Sequence, residues 1–384
     1  MVGAEKKWLA FPLHWAKHYC IYLRMCRMKK LLLTSLVLSL GCSFWDTAAA
    51  AADGYLAAGS HDEIVAKAKK EGKLRVISSL DGATYKPMTE SFSKKYPFID
   101  LSMQEIGGTD GYQRFLLELK AGTVKDFDTS EASSEFYVEN AAHAMKIDFL
   151  GMAQKGVLRI NPKMVDPDYR NVVSVASTIC AIAYNKTRLS EAALPAKWED
   201  FLKPEFKGRK FMADIRPQCM ASLMAGMGEE WVLKYARQIK AQDPVWVRGN
   251  QRAMNALKTG EQAIHQMTFY QSCVEVARKD RTNSLQCKII EPAPVYLREN
   301  QFILKSASHP YAALLFIEHM ASPEGQKIID EYEPIKSSIF GDGEVARVAK
   351  GKKVSVNDFR TFQNTPKWMA MVVEAYGFPR ANKK

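Results

Sequence analysis

Short hydroxyl, carboxylate and guanidinium side chains gather where apolar runs end. The groups are Ser78, Ser79 and Asp81; Thr129, Ser130 and Ser133; Asp214 and Arg216; Arg248, Gly249 and Asn250; and, closing a fifth run, Phe269 with Tyr270. The chemistry they offer is recognition. Arginine presents a planar fork of donors that matches a carboxylate or phosphate, and hydroxyls and N–H groups at helix starts sit at the positive end of the helix dipole. The pattern predicts a site for a small anionic organic ligand, phosphorylated or carboxylated. The same serines also serve as ordinary helix caps. A polyamine site would want several carboxylates and aromatic walls, and these loops supply only Asp81, Glu131 and Asp214.

Nothing in the chain is spaced for catalysis. A nucleophile elbow, a Walker loop, a His-Glu-x-x-His helix and a Cys-His arrangement are all absent. His61, His143, His265, His309 and His319 are scattered along the sequence. The expectation is a binding protein with no catalytic residues, no cofactor and no resident metal.

The elements that must position these groups read as repeated strand-loop-helix units. Residues 73–80 form an apolar strand, after which Asp81-Gly82-Ala83-Thr84 opens a helix that runs through Met88, Phe92 and Tyr96 to Pro97. A strand at Ile99 to Ile106 leads through Gly107-Gly108-Thr109-Asp110 into a helix carrying Phe115, Leu116 and Leu119 on one face. A third strand is expected at Asp126 to Ser130. Such repetition argues a parallel α/β sheet, whose ligands sit beyond the carboxyl ends of the strands. Val172 to Tyr184 is a run of β-branched and small residues without Gly or Pro, long for one strand. It is expected to cross between two halves of the molecule as a hinge, with Glu291 to Val295 as the return crossing. Further strands are expected at Phe211 to Asp214 and Ile264 to Tyr270, and helices at Glu229 to Ile239 and Ala312 to Met320.

The order Ala183-Tyr184-Asn185-Lys186, Trp198-Glu199-Asp200-Phe201-Leu202, Pro204-Glu205-Phe206-Lys207-Gly208-Arg209 and then a strand ending at Asp214 resembles the extracellular solute-binding proteins of ABC importers. Ala256 to Glu261, Ala312 to Ile317 and Ser322-Pro323-Glu324-Gly325-Gln326 add to the likeness, which covers roughly Leu74 to Tyr332 and is nearest the group that includes the ferric-iron-binding proteins. The resemblance implies a two-lobed type II periplasmic-binding-protein fold, each lobe a mixed, mostly parallel sheet flanked by helices and joined by a two-strand hinge. It places lobe 1 at 55–173 with 292–330, lobe 2 at 174–291, and a C-terminal helical segment at 331–384 against the lobes. It further implies a monomer that closes on its ligand and delivers it to a membrane permease, with no role for nucleic acid. Ferric-binding relatives use an adjacent tyrosine pair after the Gly-Glu of a helix turn, with an imidazole or carboxylate just after the first strand. Here Gly260-Glu261 is followed by Phe269-Tyr270, so one phenolate of that pair is missing, and Asp81 stands near the first-strand position. A ferric site using Tyr270 and Asp81 is the alternative to the organic anion. A sensor partner and an exported enzyme are alternatives of other classes.

A chain of 384 residues exceeds one ordinary core, which agrees with two lobes. Met28-Lys29-Lys30, the apolar stretch Leu31 to Leu40 and the alanines Ala48 to Ala52 have the layout of a cleaved export signal, with translation expected to start at Met28. Gly41-Cys42 only partly fits a lipidation signal, because Ser39 stands where an aliphatic residue is wanted. Residues 1–52 carry a net +5 of the total +12, leaving a moderately basic remainder of about +7. No concentrated basic stripe with interleaved aromatics is present for nucleic acid. Cys180, Cys219, Cys273 and Cys287 fall after the signal. In an oxidising compartment they can form two disulfides, with Cys180–Cys219 and Cys273–Cys287 among the possible pairings, or remain buried thiols.

Overall fold

The hinge stretch is a single strand, and it carries the architecture. In the computed structural model, which describes residues 55–378, β4 (Val172–Asn185) is 14 residues long and buried at every position. Such a strand spans about 45 Å. Its branched and small side chains suit burial on both faces. The expected signal, the Met28 start and Cys42 lie outside the described residues.

Among the described residues ten strands form one sheet, eight of them on the path β2 (Asp100–Glu105), β1 (Lys73–Ser78), β3 (Thr129–Glu131), β9 (Ala293–Ile303), β4, β7 (Ile264–Phe269), β5 (Met212–Asp214), β6 (Val245–Val247), with β10 (Val354–Asn357) added to β9 and β8 (Leu285–Lys288) to β4. The first half of β4 pairs antiparallel with β9 (Ala293–Ile303), from Val172 opposite Phe302 to Ile179 opposite Val295. Its second half pairs with β7 (Ile264–Phe269) and β8, from Cys180 opposite Phe269 to Asn185 opposite Leu285. Two strands thus pass between the halves. In lobe 1, β1 (Lys73–Ser78) lies parallel to β2 (Asp100–Glu105) and β3 (Thr129–Glu131). In lobe 2, β5 (Met212–Asp214) lies parallel to β6 (Val245–Val247) and β7.

Each lobe has its own core. Helices His61–Glu71, Gly82–Lys95 and Pro310–Ala321 pack Ile64, Met88, Phe92, Leu315 and Phe316 on one face of the lobe 1 sheet. Trp198, Phe201, Phe211, Tyr235 and Ile239 fill lobe 2. The segment after 331 touches both. Phe359 and Phe362 join a lobe 1 cluster with Tyr137, whereas Trp368, Val372 and Tyr376 join the lobe 2 core. Among the described residues two disulfides are present, Cys180–Cys219 and Cys273–Cys287. The first fastens the crossing strand to the helix that follows β5.

Some expectations shift. The strand expected at Asp126 to Ser130 is only Thr129–Glu131; just before it the Asp128 carboxylate accepts N–H groups from Arg75, Ser308 and His309. The Trp198–Leu202 stretch is a 3-10 helix with Trp198 and Phe201 buried. The return crossing continues through Arg298, Glu299, Asn300 and Gln301 to Ile303 as one strand. Polar as they are, Glu299, Asn300 and Gln301 are fully buried. Among the described residues no helix is long and apolar enough to cross a membrane.

Candidate functional site

The carboxyl ends of β1, β2 and β3 face those of β5, β6 and β7 across a cleft of about 730 Å³. Its lining includes Ser79, Ser133, Asp214, Arg216, Arg248, Asn250 and Phe269 from the predicted set. Asp214 ends β5, and its carboxylate accepts the Arg216 N–H at 2.8 Å, which fixes the turn that carries the arginine. Burial raises the Asp214 pKa against the opposing pull of Arg216 and Arg248. Gly249, at φ 97°, turns the chain after β6 into the helix Asn250–Lys258. Asn250 is then fastened by the Thr268 hydroxyl at 3.1 Å.

Ser78, Asp81, Thr129, Ser130 and Tyr270 do not line the cleft. Ser78, Thr129 and Ser130 are strand residues with no exposed surface, and the Ser78 hydroxyl accepts the Leu80 N–H. Asp81 caps the following helix through the Ala83 N–H at 3.0 Å. Tyr270 begins a helix just where β7 ends, so it turns away from Phe269. It packs against the cluster of Ile179, Val295, Ile335 and Val345 instead. Burial, with Glu344 adding to it, raises its phenol pKa. Neither residue of the iron alternative, Tyr270 or Asp81, is thus among those that line this cleft.

The cleft also holds groups that strand-end reasoning missed. Glu105, Tyr112, Glu135 and Glu139 line it from lobe 1, Gln266 and Thr268 from β7, and Arg298 from β9. Glu135 stands two residues past Ser133, so extending that loop would have found it. Tyr112 sits on the apolar face of its helix with Phe115, Leu116 and Leu119, and in sequence reads as core. Arg298 lies past Glu291 to Val295, the stretch expected to make the return crossing. The charges are unevenly shared: lobe 2 brings both arginines with one carboxylate, Asp214, and lobe 1 brings three carboxylates. Glu105, Glu135 and Glu139 face Arg216 and Arg248, with Arg298 on the connecting strand. Burial raises the Glu135 pKa, and Arg298 and Arg216 pull it down from the hinge and from the opposite lobe. Beneath this floor Glu131 is 1% exposed. It lies by Tyr112 and Arg298 without a hydrogen bond of ordinary geometry to its carboxylate oxygens, and burial with the nearby Glu299 charge pushes it to about 7. Among the described residues no three His, Cys, Asp or Glu side chains converge to hold a metal ion.

Residues 136–365 match the family model of the bacterial extracellular solute-binding proteins. The chain belongs to that family. Its members are binding proteins of ABC transport, which fits a cleft between two lobes and agrees with the expected fold class. A curated relative, the Fe(3+)-binding periplasmic protein of Serratia marcescens, is 24% identical over 243 residues, covering 60% of this chain and 68% of that one. A Trichodesmium protein solved with iron and citrate superposes with a TM-score of 0.62 at 17% identity, over 80% of this chain and all of that one. The ferric iron-binding protein A of Mannheimia haemolytica, in an open conformation, gives 0.61 at 17% identity, over 80% of this chain and 98% of that one. A spermidine/putrescine-binding protein of Streptococcus pneumoniae gives 0.53 at 14% identity, over 79% of this chain and 97% of that one. At these identities the structural likenesses establish the fold alone. The relatives bind or carry solutes and are not enzymes.

Proposed function

We propose that this chain is the periplasmic receptor of an ABC importer whose cargo is ferric iron held by an oxyanion chelator such as citrate. The observation that carries the reading is the uneven charge across the cleft, three carboxylates of lobe 1 opposite two arginines of lobe 2, of which Arg216 is partly offset by Asp214. A free organic anion, the sequence-based expectation, would leave Glu105, Glu135 and Glu139 facing it with like charge. Bare iron would lack a preassembled donor set. A ferric chelate suits both walls: hard Fe(III) prefers carboxylate and phenolate oxygen, and Arg216 and Arg248 match the carboxylates of the chelator. The named iron-binding relatives support iron as the metal, and the relative solved with iron and citrate supports the complex.

The mechanism is hinge closure about β4 and β9. A ligand that touches both walls binds the closed form more tightly, and that difference in affinity drives the population toward it. The closed form is the one offered to a membrane permease. The basic, apolar and alanine-rich layout of residues 28–52 supports delivery to the periplasm through a cleaved signal.

The test is calorimetric titration of the processed protein with ferric citrate, iron-free citrate and ferric nitrilotriacetate. Ferric citrate should bind at least tenfold more tightly than citrate alone. Equal affinity for citrate with and without iron would reject iron as cargo. Binding of the nitrilotriacetate complex with transfer of bare iron would reject the intact chelate.

A further inference from the structure

The loop that brings Ser79 to the cleft is held by charged side chains buried beneath it. Glu299 has no exposed surface and sits on β9, the returning hinge strand, at φ 50°. Its Oε2 accepts both the Ser79 N–H at 2.8 Å and the Ser79 hydroxyl at 2.7 Å. Its Oε1 accepts the Gln301 amide at 2.6 Å. On the other side of the loop, Lys336 pairs with Glu333 and reaches the Ser79 carbonyl at 3.4 Å. Glu333 in turn accepts the Asp81 N–H at 2.7 Å and the Thr84 hydroxyl at 3.0 Å.

This arrangement fixes more than position. A hydroxyl has one proton and two lone pairs. The Ser79 N–H and the Gln301 amide can only donate, so both Glu299 oxygens already act as acceptors, and the Ser79 proton points at one of them. What Ser79 shows to the cleft is lone pairs alone. We infer that Ser79, oriented by Glu299, is a specificity-determining residue that accepts from its ligand. It selects a hydrogen-bond donor or a cationic end on the lobe 1 side and refuses the acceptor-only face of a bare anion. A serine at a strand end is otherwise an anion contact, and the buried carboxylate beneath reverses that use. The inference deepens the cargo reading above, since the metal-bearing, water-ligated end of a chelate is a donor and a bare carboxylate is not.

Two measurements test it. The first needs no cargo: a neutron structure of the ligand-free, deuterium-exchanged protein. The Ser79 deuteron should lie on the line from its oxygen to Glu299 Oε2, and a deuteron directed into the cleft would overturn the inference whatever the cargo is. The second compares Ser79→Ala with wild type. Ferric citrate affinity should fall about tenfold and oxalate affinity should stay within twofold, both read well below the melting temperature, which the lost bond to Glu299 should lower. A greater loss for oxalate than for ferric citrate would show that Ser79 donates to an anion, contrary to the inference. Wild type that ignores ferric citrate but shows the deuteron on Glu299 would sink the cargo reading and leave the hydroxyl assignment standing.

Discussion

Replacing Glu131 by glutamine should flatten part of the pH dependence of stability. The carboxyl is 1% exposed, and burial, reinforced by the Glu299 charge and opposed by Arg298, raises it from 4.5 to about 7. Between those pH values the native state keeps the proton that the unfolded chain has lost. Native protein then binds more protons than unfolded, so stability falls as pH rises. At 1.36 kcal/mol for each tenfold change, the whole fall is worth about 3 kcal/mol and is complete once the pH passes the native value. Glutamine keeps the shape and the contact with Tyr112 but has no proton to lose. Urea unfolding of wild type and Glu131→Gln at pH 4.5, 5.5, 6.5 and 7.5 measures the difference directly. The variant should match wild type at the acid end and gain steadily to about 3 kcal/mol at pH 7.5. A difference that does not change with pH would refute the reasoning, since it would mean that Glu131 ionises normally in the fold.

His265 should act in the opposite direction. It is fully buried with neither ring nitrogen bonded, and burial lowers its pKa from 6.5 to about 4. The unfolded chain takes up a proton first, so stability is present above pH 6.5 and is lost as pH falls towards 4, by about 3 kcal/mol. His265→Asn should remove that acid loss in unfolding titrations, and an unchanged acid limb would contradict it. Arg216→Ala and Arg248→Ala should each weaken ferric citrate binding by about 2 kcal/mol, roughly 30-fold, if each makes a charge-assisted bond. Both side chains project at the surface, so their melting temperatures should stay near wild type. Unchanged calorimetric affinity in both variants would remove the anion half of the cargo proposal.

The scaffold was legible because its decisive features are local. A run as long and as free of breakers as Val172 to Asn185 has few uses other than a strand buried on both sides. Asp214 and Arg216 could be placed because a short strand and its following loop adjoin in sequence. The site was only half legible, and the reasons lie in direction and register. Phe269 and Tyr270 are neighbours, but the helix starts between them and sends one to the cleft and the other to the opposite side. No pattern of types distinguishes the two. Arg298 reaches the floor, and Glu299 the Ser79 loop, only because a polar stretch is held inside β9 by partners distant in sequence, such as Ser79 and Ala132. Pro366, Met369 and Tyr376 wall the cleft from a tail whose docking depends on Trp246 and Glu229 far upstream. Chemistry that depends on such long-range closure has no local signature.

The most direct test of the central claim is a crystal structure grown with ferric citrate, with diffraction collected on both sides of the iron absorption edge. The account predicts one anomalous peak in the cleft on the side of Glu135 and Glu139, with citrate carboxylates against Arg216 and Arg248. An iron peak at Tyr270, or citrate in the cleft with no iron beside it, would contradict it.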